Sequence, residues 1–531
     1  MDEFADNHKA TDLELAPENT AKILLQVAAD REHPADMEDF IAVVNTAVAY
    51  FKHEKFQKAL LVPGAMDITL AVLVDSYTRF DSHPSIGSSE IDQEDAKALQ
   101  KMRADFNQVL SDVSALTEFK ETCPVISPFT SALRRWLLSP QLQLQVCACI
   151  MLGNLARSDE ACQQFVHTSR VHLPLITILK EATDSQLLHA ALGFLKNLAL
   201  PAQNKEILGA SGLFEVLPRL WALDTLQQIQ FSSISLARQL TIGNYKNVKM
   251  VCKRLSKDEN SPAHSRTNLS ILIALFDRTD VEPIKMEIAR LITSVCRVTN
   301  STGAGGQSPE TLEAIRKKFF TMHPDVGKPL SFMVSQTKWP VVRSEGWFVF
   351  ALMARYPEGA KCISDLLHDV AVFQPLVEIL TGKQLIDYKP PPPLDVTSTS
   401  PSISTTNSSP EKSSSPPLSS STSISLVDSA TGLTVEPQSP SQTTPNQSSE
   451  MARIDRENAL VLVSEMLKNR GSEMALMRRT LFEGLLQGGS EMLLSYREAR
   501  PGYGGAKPRS ERIRAGLGLQ EAVGQSVEEF S

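Results

Sequence analysis

With 531 residues, 42% hydrophobic but only 6% aromatic, the chain can form a continuous core packed mainly by aliphatic side chains. No run of 18 or more apolar residues occurs, which excludes a helical membrane span, and the acidic stretch MDEFADNHKATDLELAPENT is the opposite of a secretory or mitochondrial leader. The formal net charge of −8 is uneven: residues 1–120 hold 22 acidic against 11 basic side chains, which disfavours nucleic acid and suits a basic partner or plain solubility.

Residues 1–36 read as an acidic, weakly ordered N-terminus broken by one helix around Ala21–Ala29. Helical periodicity begins at Met37 with DFIAVVNTAVAYF, then a short helix, a Pro63-Gly64 break and another helix. A polar, acidic loop insertion near 81–97 precedes a helix at Ala98–Leu116. The clearest pattern lies between Leu142 and Thr241, where LQLQVCACIMLGNLARSDEACQQFV, SQLLHAALGFLKNLALPAQNKEIL and LQQIQFSSISLARQLTIGNYKNV follow one design. Aligning LGNLA, LKNLA and ARQLT puts Asn154, Asn197 and Gln239 in one column at steps of 43 and 42 residues; LSDVS and VVNTA extend it back to Asp112 and Asn45.

Each unit reads as two shorter helices and a long third one. Pro201 follows one long helix, and Gly212 supplies the backbone freedom of the turn between two short ones. The long helix of the second copy carries Leu188, Ala191, Leu192, Leu195 and Leu198 at helical spacing. An all-helical period of about 40–47 residues predicts an all-α, armadillo-repeat right-handed superhelical solenoid, whose units bury their apolar faces only by stacking. Beyond Thr241 a helix is expected at Arg266–Phe276. PIKMEIARLITSVCRVTN follows it too soon for a full period, which implies a shortened repeat. A loop near 299–309 holds glycines without the GxxxxGK[ST] spacing of a phosphate loop. Armadillo repeats are thus expected over 37–387, a disordered Ser/Pro/Thr-rich linker over 388–450, a C-terminal helical repeat or cap over 451–499, and a disordered basic, Gly-rich tail over 500–531.

The sequence has no HExxH, GxSxG, Walker A or paired CxxC motif. Its seven scattered cysteines read as reduced, buried thiols, in keeping with cytosol or nucleus, and His172 and His189 read as structural. No catalytic, cofactor-binding or metal-ligating residue is expected, and no cofactor, so function should lie in binding. The third helices of an armadillo stack line its groove, which would set Asn45, Asp112, Asn154, Asn197 and Gln239 along it as a ladder facing a partner. The alternative is that each asparagine ties its own repeat.

From about Gln141 to Arg278, the runs IMLGNLARSDEACQQFV, LLHAALGFLKNLALPAQNKEILGASG and IQFSSISLARQL…KNVKMV resemble the smg GDS family, through the order HAAL-x-x-L-x-NLA-x-P-x-x-NK. The resemblance implies a monomeric, cytosolic binder of small GTPases of the Rho and Rap types, whose tails are polybasic and prenylated. It would act as a stimulator of nucleotide dissociation and exchange and as a chaperone, with Asn154 and Asn197 as groove asparagines. An interaction scaffold without effect on nucleotide state is the alternative. An importin-α-like carrier needs a Trp four residues before each column position; Ile41, Gln108, Ile150, Gly193 and Ser235 stand there instead.

Overall fold

The computed structural model describes residues 16–62, 64–81, 90–301, 306, 308–383 and 445–498. Among them the chain forms helices only, apart from one antiparallel bridge between Arg254 and Thr267. A pair opens the stack, α1 (Thr20–Ala28) and α2 (Met37–Phe51), and triplets follow. These are α3 (Glu54–Leu60), α4 (Ala65–Phe80) and α5 (Glu90–Ala115), then α6 (Phe119–Thr122), α7 (Pro128–Trp136) and α8 (Leu142–Leu155). The best-matched units are α9 (Asp159–Gln163), α10 (His172–Glu181) and α11 (Ser185–Leu198), then α12 (Ala202–Leu208), α13 (Phe214–Trp221) and α14 (Gln227–Thr241). After them come α15 (Tyr245–Val251), α16 (Asn268–Arg278) and α17 (Glu282–Thr299), then α18 (Pro309–Met322), α19 (Gly327–Val334) and α20 (Pro340–Ala354). The last triplet is α21 (Pro357–Leu366), α22 (Val370–Thr381) and α23 (Pro445–Arg470), and α24 (Leu476–Glu498) packs on α22 and α23.

Local chemistry sets these boundaries. Asp36, Ser158, Asp184, Asn244 and Ser308 each accept a backbone N–H from the first turn of the helix they precede, satisfying a donor that has no intrahelical partner. Ser127 and Thr130 form a reciprocal capping box at α7. Between α12 and α13 the chain makes a π-helical turn in which Gly212 stands at φ +100°, a conformation that glycine adopts without steric penalty.

Each third helix packs against the next, from α2 through α5, α8, α11, α14, α17 and α20 to α23, so the molecule is an armadillo-type solenoid. The interior members are apolar on nearly every side. Along α8, Leu144, Val146, Cys147, Cys149, Met151, Leu152 and Leu155 are all buried, as a helix walled in by neighbours on both flanks requires. Phe165 and Phe194 meet edge-on at 5.7 Å between ring centroids and pin α11 to the turn after α9.

Three expectations are corrected. The repeat after Thr241 is lengthened, not shortened: α17 is the third helix of the unit that opens at Tyr245, and it packs along α14. Residues 252–267, closed by the Arg254–Thr267 bridge, separate the first two helices of that unit and conceal its period. At the C-terminal end α23 begins at Pro445, inside the span expected to be linker. It runs parallel to α20: Arg343 pairs with Asp455 at 3.1 Å, and farther along Asn469 Nδ2 donates to the Ala354 carbonyl at 2.8 Å. The Ser/Pro-rich stretch therefore divides a repeat and does not follow a finished one. The expected disorder of that stretch and of the tail falls largely on residues outside those described, as do residues 82–89 of the loop expected near 81–97, whereas residues 90–97 of that span are not loop but the opening turns of α5.

Since α23 covers α20, a chain ended at Lys383 should melt lower by about 5 °C or more by circular dichroism. Replacing residues 390–440 with a Gly/Ser linker of equal length should leave the melting temperature within about 2 °C. Equal losses in both variants would contradict the assignment of α23 as the last third helix.

Candidate partner surface on the third helices

The five column residues all lie on third helices, but the solenoid does not present them alike. Asn45 on α2 and Asp112 on α5 are exposed, each within a stripe of exposed residues: Glu38, Ala42 and Ala49 beside Asn45, Asp105 and Gln108 beside Asp112. Gln108 Nε2 donates to Asp112 Oδ1 at 2.8 Å, an i, i+4 bond along the helix surface. Gln239 on α14 is half-buried. Asn154 and Asn197, at 6% and 3% exposure, lie inside the stack.

A buried amide needs its hydrogen bonds met, and the Nδ2 donor of each asparagine finds an acceptor on the preceding repeat. Asn154 Nδ2 donates to Ser114 Oγ on α5 at 2.9 Å, and its Oδ1 accepts from Arg157 at 2.7 Å. Asn197 Nδ2 donates to the Gly153 carbonyl on α8 at 3.0 Å. The Nδ2 bonds cross the repeat boundary, whereas Arg157 ties Asn154 within its own repeat.

Farther along, ions take over the role of amides. Arg238 on α14 meets Glu287 on α17 at 2.6 Å, with the two side chains 13% and 4% exposed. Arg290 on α17 meets Glu345 on α20 at 3.5 Å, and Arg343 on α20 meets Asp455 on α23. Burial pushes the Asp455 carboxyl above the usual carboxylate range; Ser344 and Arg343 only partly offset that. Sequence reading missed these pairs because partners 49 and 112 residues apart fall outside the repeat period.

It also missed a second column, on the first helices, that the period does contain. Cys162, Asn204 and Asn247 follow at steps of 42 and 43. Cys162 Sγ contacts the carbonyls of Ala156 and Asn197 at 3.6 and 3.4 Å. Asn204 Nδ2 donates to Leu198 and Cys162 carbonyls at 2.9 and 3.1 Å, and Asn247 Nδ2 to those of Leu240 and Lys205 at 2.9 and 2.8 Å. Gly209 lies so close to Asn247 that a Cβ there would collide with the amide oxygen.

The buried thiols and imidazoles are held away from their reactive forms. Cys147, Cys149 and Cys296 are buried, and burial pushes their thiols far up; that of Cys252 rises to about 12, so no nucleophilic thiolate forms near neutrality. Burial lowers the pKa of His172 and His323, and His323 Nε2 sits 2.8 Å from Thr267 Oγ1, at the cap of α16. Among the described residues no group of three or more His, Cys, Asp or Glu could hold a metal ion, and no single helix is long and apolar enough to cross a membrane. What the arrangement offers is a rigid, polar surface whose N-terminal part is acidic.

No family model matches the chain. It is 26% identical over 148 residues to the GTPase-GDP dissociation stimulator vimar of Drosophila melanogaster, a match covering 27% of this chain and 22% of that protein. It is 30% identical over 107 residues to Rap1 GTPase-GDP dissociation stimulator 1-A of Xenopus laevis, covering 20% of this chain and 18% of the relative. The matches thus span about a fifth of each relative's length. Among solved structures, an engineered protein aligns over 90% of this chain and 99% of its own at 16% identity and a TM-score of 0.46. UNC-45 from Drosophila melanogaster aligns over 72% of this chain and 52% of its own at 13% identity and a TM-score of 0.38.

Two stability predictions follow from the inter-repeat bonds. Glu287→Ala strands the largely buried Arg238 guanidinium and should cost near the lower end of about 3–5 kcal/mol in urea unfolding, well beyond a typical surface substitution. A raised folded-state pKa favours the folded form below the unfolded value and loses that advantage as pH rises through the folded value. Asp455→Asn cannot ionise, so its melting temperature should gain on the parent chain as pH rises from about 4 to about 7. A constant difference across that range would contradict the burial argument.

Proposed function

We propose that this protein is a regulator of small GTPases of the Rap and Rho types, binding them on its third helices and speeding release of GDP. The observation that carries the reading is the partial similarity to two GDP dissociation stimulators. The exposed acids of α2 and α5, Glu38, Asp39, Asp105 and Asp112, support it, since they suit a GTPase tail rich in lysine. In this reading Asn45, Asp112 and Gln239, the column members with accessible side chains, contact the partner. Asn154 and Asn197 fix the spacing of the helices that carry them. The protein works as a cytosolic monomer, and prenylated tails are held as well as unprenylated ones.

The test is release of a fluorescent GDP analogue from Rap- and Rho-type GTPases with and without the full chain. Acceleration of about tenfold, a barrier change near 1.4 kcal/mol, is expected, with a lesser effect for a GTPase lacking its basic tail. Association should slow several-fold between about 50 and about 300 mM salt, as screened electrostatic steering requires. Asp112→Lys should weaken binding while leaving the melting temperature unchanged. Tight binding without any change in GDP release would leave an interaction scaffold; absence of binding would contradict the proposal outright.

A further inference from the structure

A cavity of about 690 Å³ opens between the first helices α15 and α18. Its floor is apolar, with Tyr245 and Met250 from one helix and Ile315, Phe319 and Met322 from the other. Its rim is basic. Lys249, Lys253 and Arg254 stand on one side and Lys318 on the other, while Lys246 is already paired with Glu206, the only acid among the described residues that line the cavity. Lys249 lies 5.8 Å above the Tyr245 ring, and Arg254 contacts His264. Among the described residues Lys249, Lys253 and Lys318 have no carboxylate partner. Three lysines without a carboxylate partner, together with Arg254, therefore surround one apolar depression in a chain whose net charge is −8.

Like charges held this close repel one another, and a ligand that brings several anions relieves the repulsion. Lys249 lies on α15, Lys253 and Arg254 follow just past its end, and Lys318 lies on α18, so the cations around the cavity stand on two separate elements. One carboxylate head on an acyl chain brings a single charge and cannot balance them all. A peptide segment that carries several carboxylates can.

We propose that this cavity is a docking site for an acidic peptide segment of a partner protein. One or two large apolar side chains of the segment fill the floor, and flanking Asp or Glu residues pair with Lys249, Lys253, Arg254 and Lys318. The site stands apart from the GTPase reading, because its charge repels a polybasic tail.

The experiment is fluorescence polarisation of the full chain with a fluorescein-labelled decapeptide of Asp and Glu around a central Phe-Leu pair. Saturable binding is expected, weakened about tenfold or more when both exposed lysines are reversed in Lys249→Glu/Lys253→Glu. Ile315→Glu, on the floor, should weaken it comparably, with melting temperature confirming that each variant is folded. Replacing Phe-Leu in the peptide by Ser-Ser, or every acid by its amide, should abolish binding. The proposal is overturned if the decapeptide does not bind, if the variants bind it as the parent does, or if the Ser-Ser peptide binds equally well. Saturable binding of palmitate without binding of the decapeptide would overturn it in favour of a lipid site.

Discussion

At five of the boundaries between one third helix and the next, a side chain that is at least partly buried reaches across to a partner on the neighbouring repeat. Asn154 to Ser114, Asn197 to the Gly153 carbonyl, Arg238 to Glu287, Arg290 to Glu345 and Arg343 to Asp455 are these ties. The surrounding contact is aliphatic, and burial of leucine and valine is non-directional: two parallel apolar helices displaced by a turn still bury much of their surface. A donor with one acceptor does not tolerate that displacement. Leaving it unmatched costs about 1–3 kcal/mol for an amide and more for an ion. The ties thus select register more than they add stability, and register fixes which side chains each third helix presents outward.

The change from amides to ions along the stack follows the interruptions of the repeat. Where the period holds near 43 residues, identical positions meet and an asparagine suffices. Where residues 252–267 or the stretch before Pro445 intervene, the third helices run to 18 residues in α17 and 26 in α23. There the tie sits inside the helix, at Glu287 in α17 and Asp455 in α23, so the helix ends can vary without disturbing the contact.

Much of this was legible from residue order. The steps between Asp112, Asn154, Asn197 and Gln239 locate the third helices, and the helix expected near Ala21–Ala29 is α1 within a residue. What could not be read is which way a column residue points. Asn45, Asp112 and Asn154 occupy equivalent places, yet the first two are exposed and Asn154 is buried, although α5, like α8, packs between two third helices. Burial of a polar residue is decided by neighbours that the repeat pattern does not name. PIKMEIARLITSVCRVTN was misplaced for a related reason: its apolar spacing marks a helix but not its rank within a unit. The asparagine column at Asn204 and Asn247 was available at the same period and lay hidden in the short first helices, where few apolar residues draw attention.

The surfaces that remain accessible differ in charge. The outward stripes of α2 and α5 are acidic, and the cavity between α15 and α18 is basic, so one partner chemistry cannot serve both. The account's central claim is that a small GTPase occupies the first of these. Hydrogen–deuterium exchange of the full chain, alone and with a GDP-bound Rap- or Rho-type GTPase, tests that claim most directly. The account predicts slowed exchange in peptides spanning Asn45, Asp112 and Gln239, with α15 and α18 unchanged. Protection confined to α15 and α18, or none on the third helices, would contradict it.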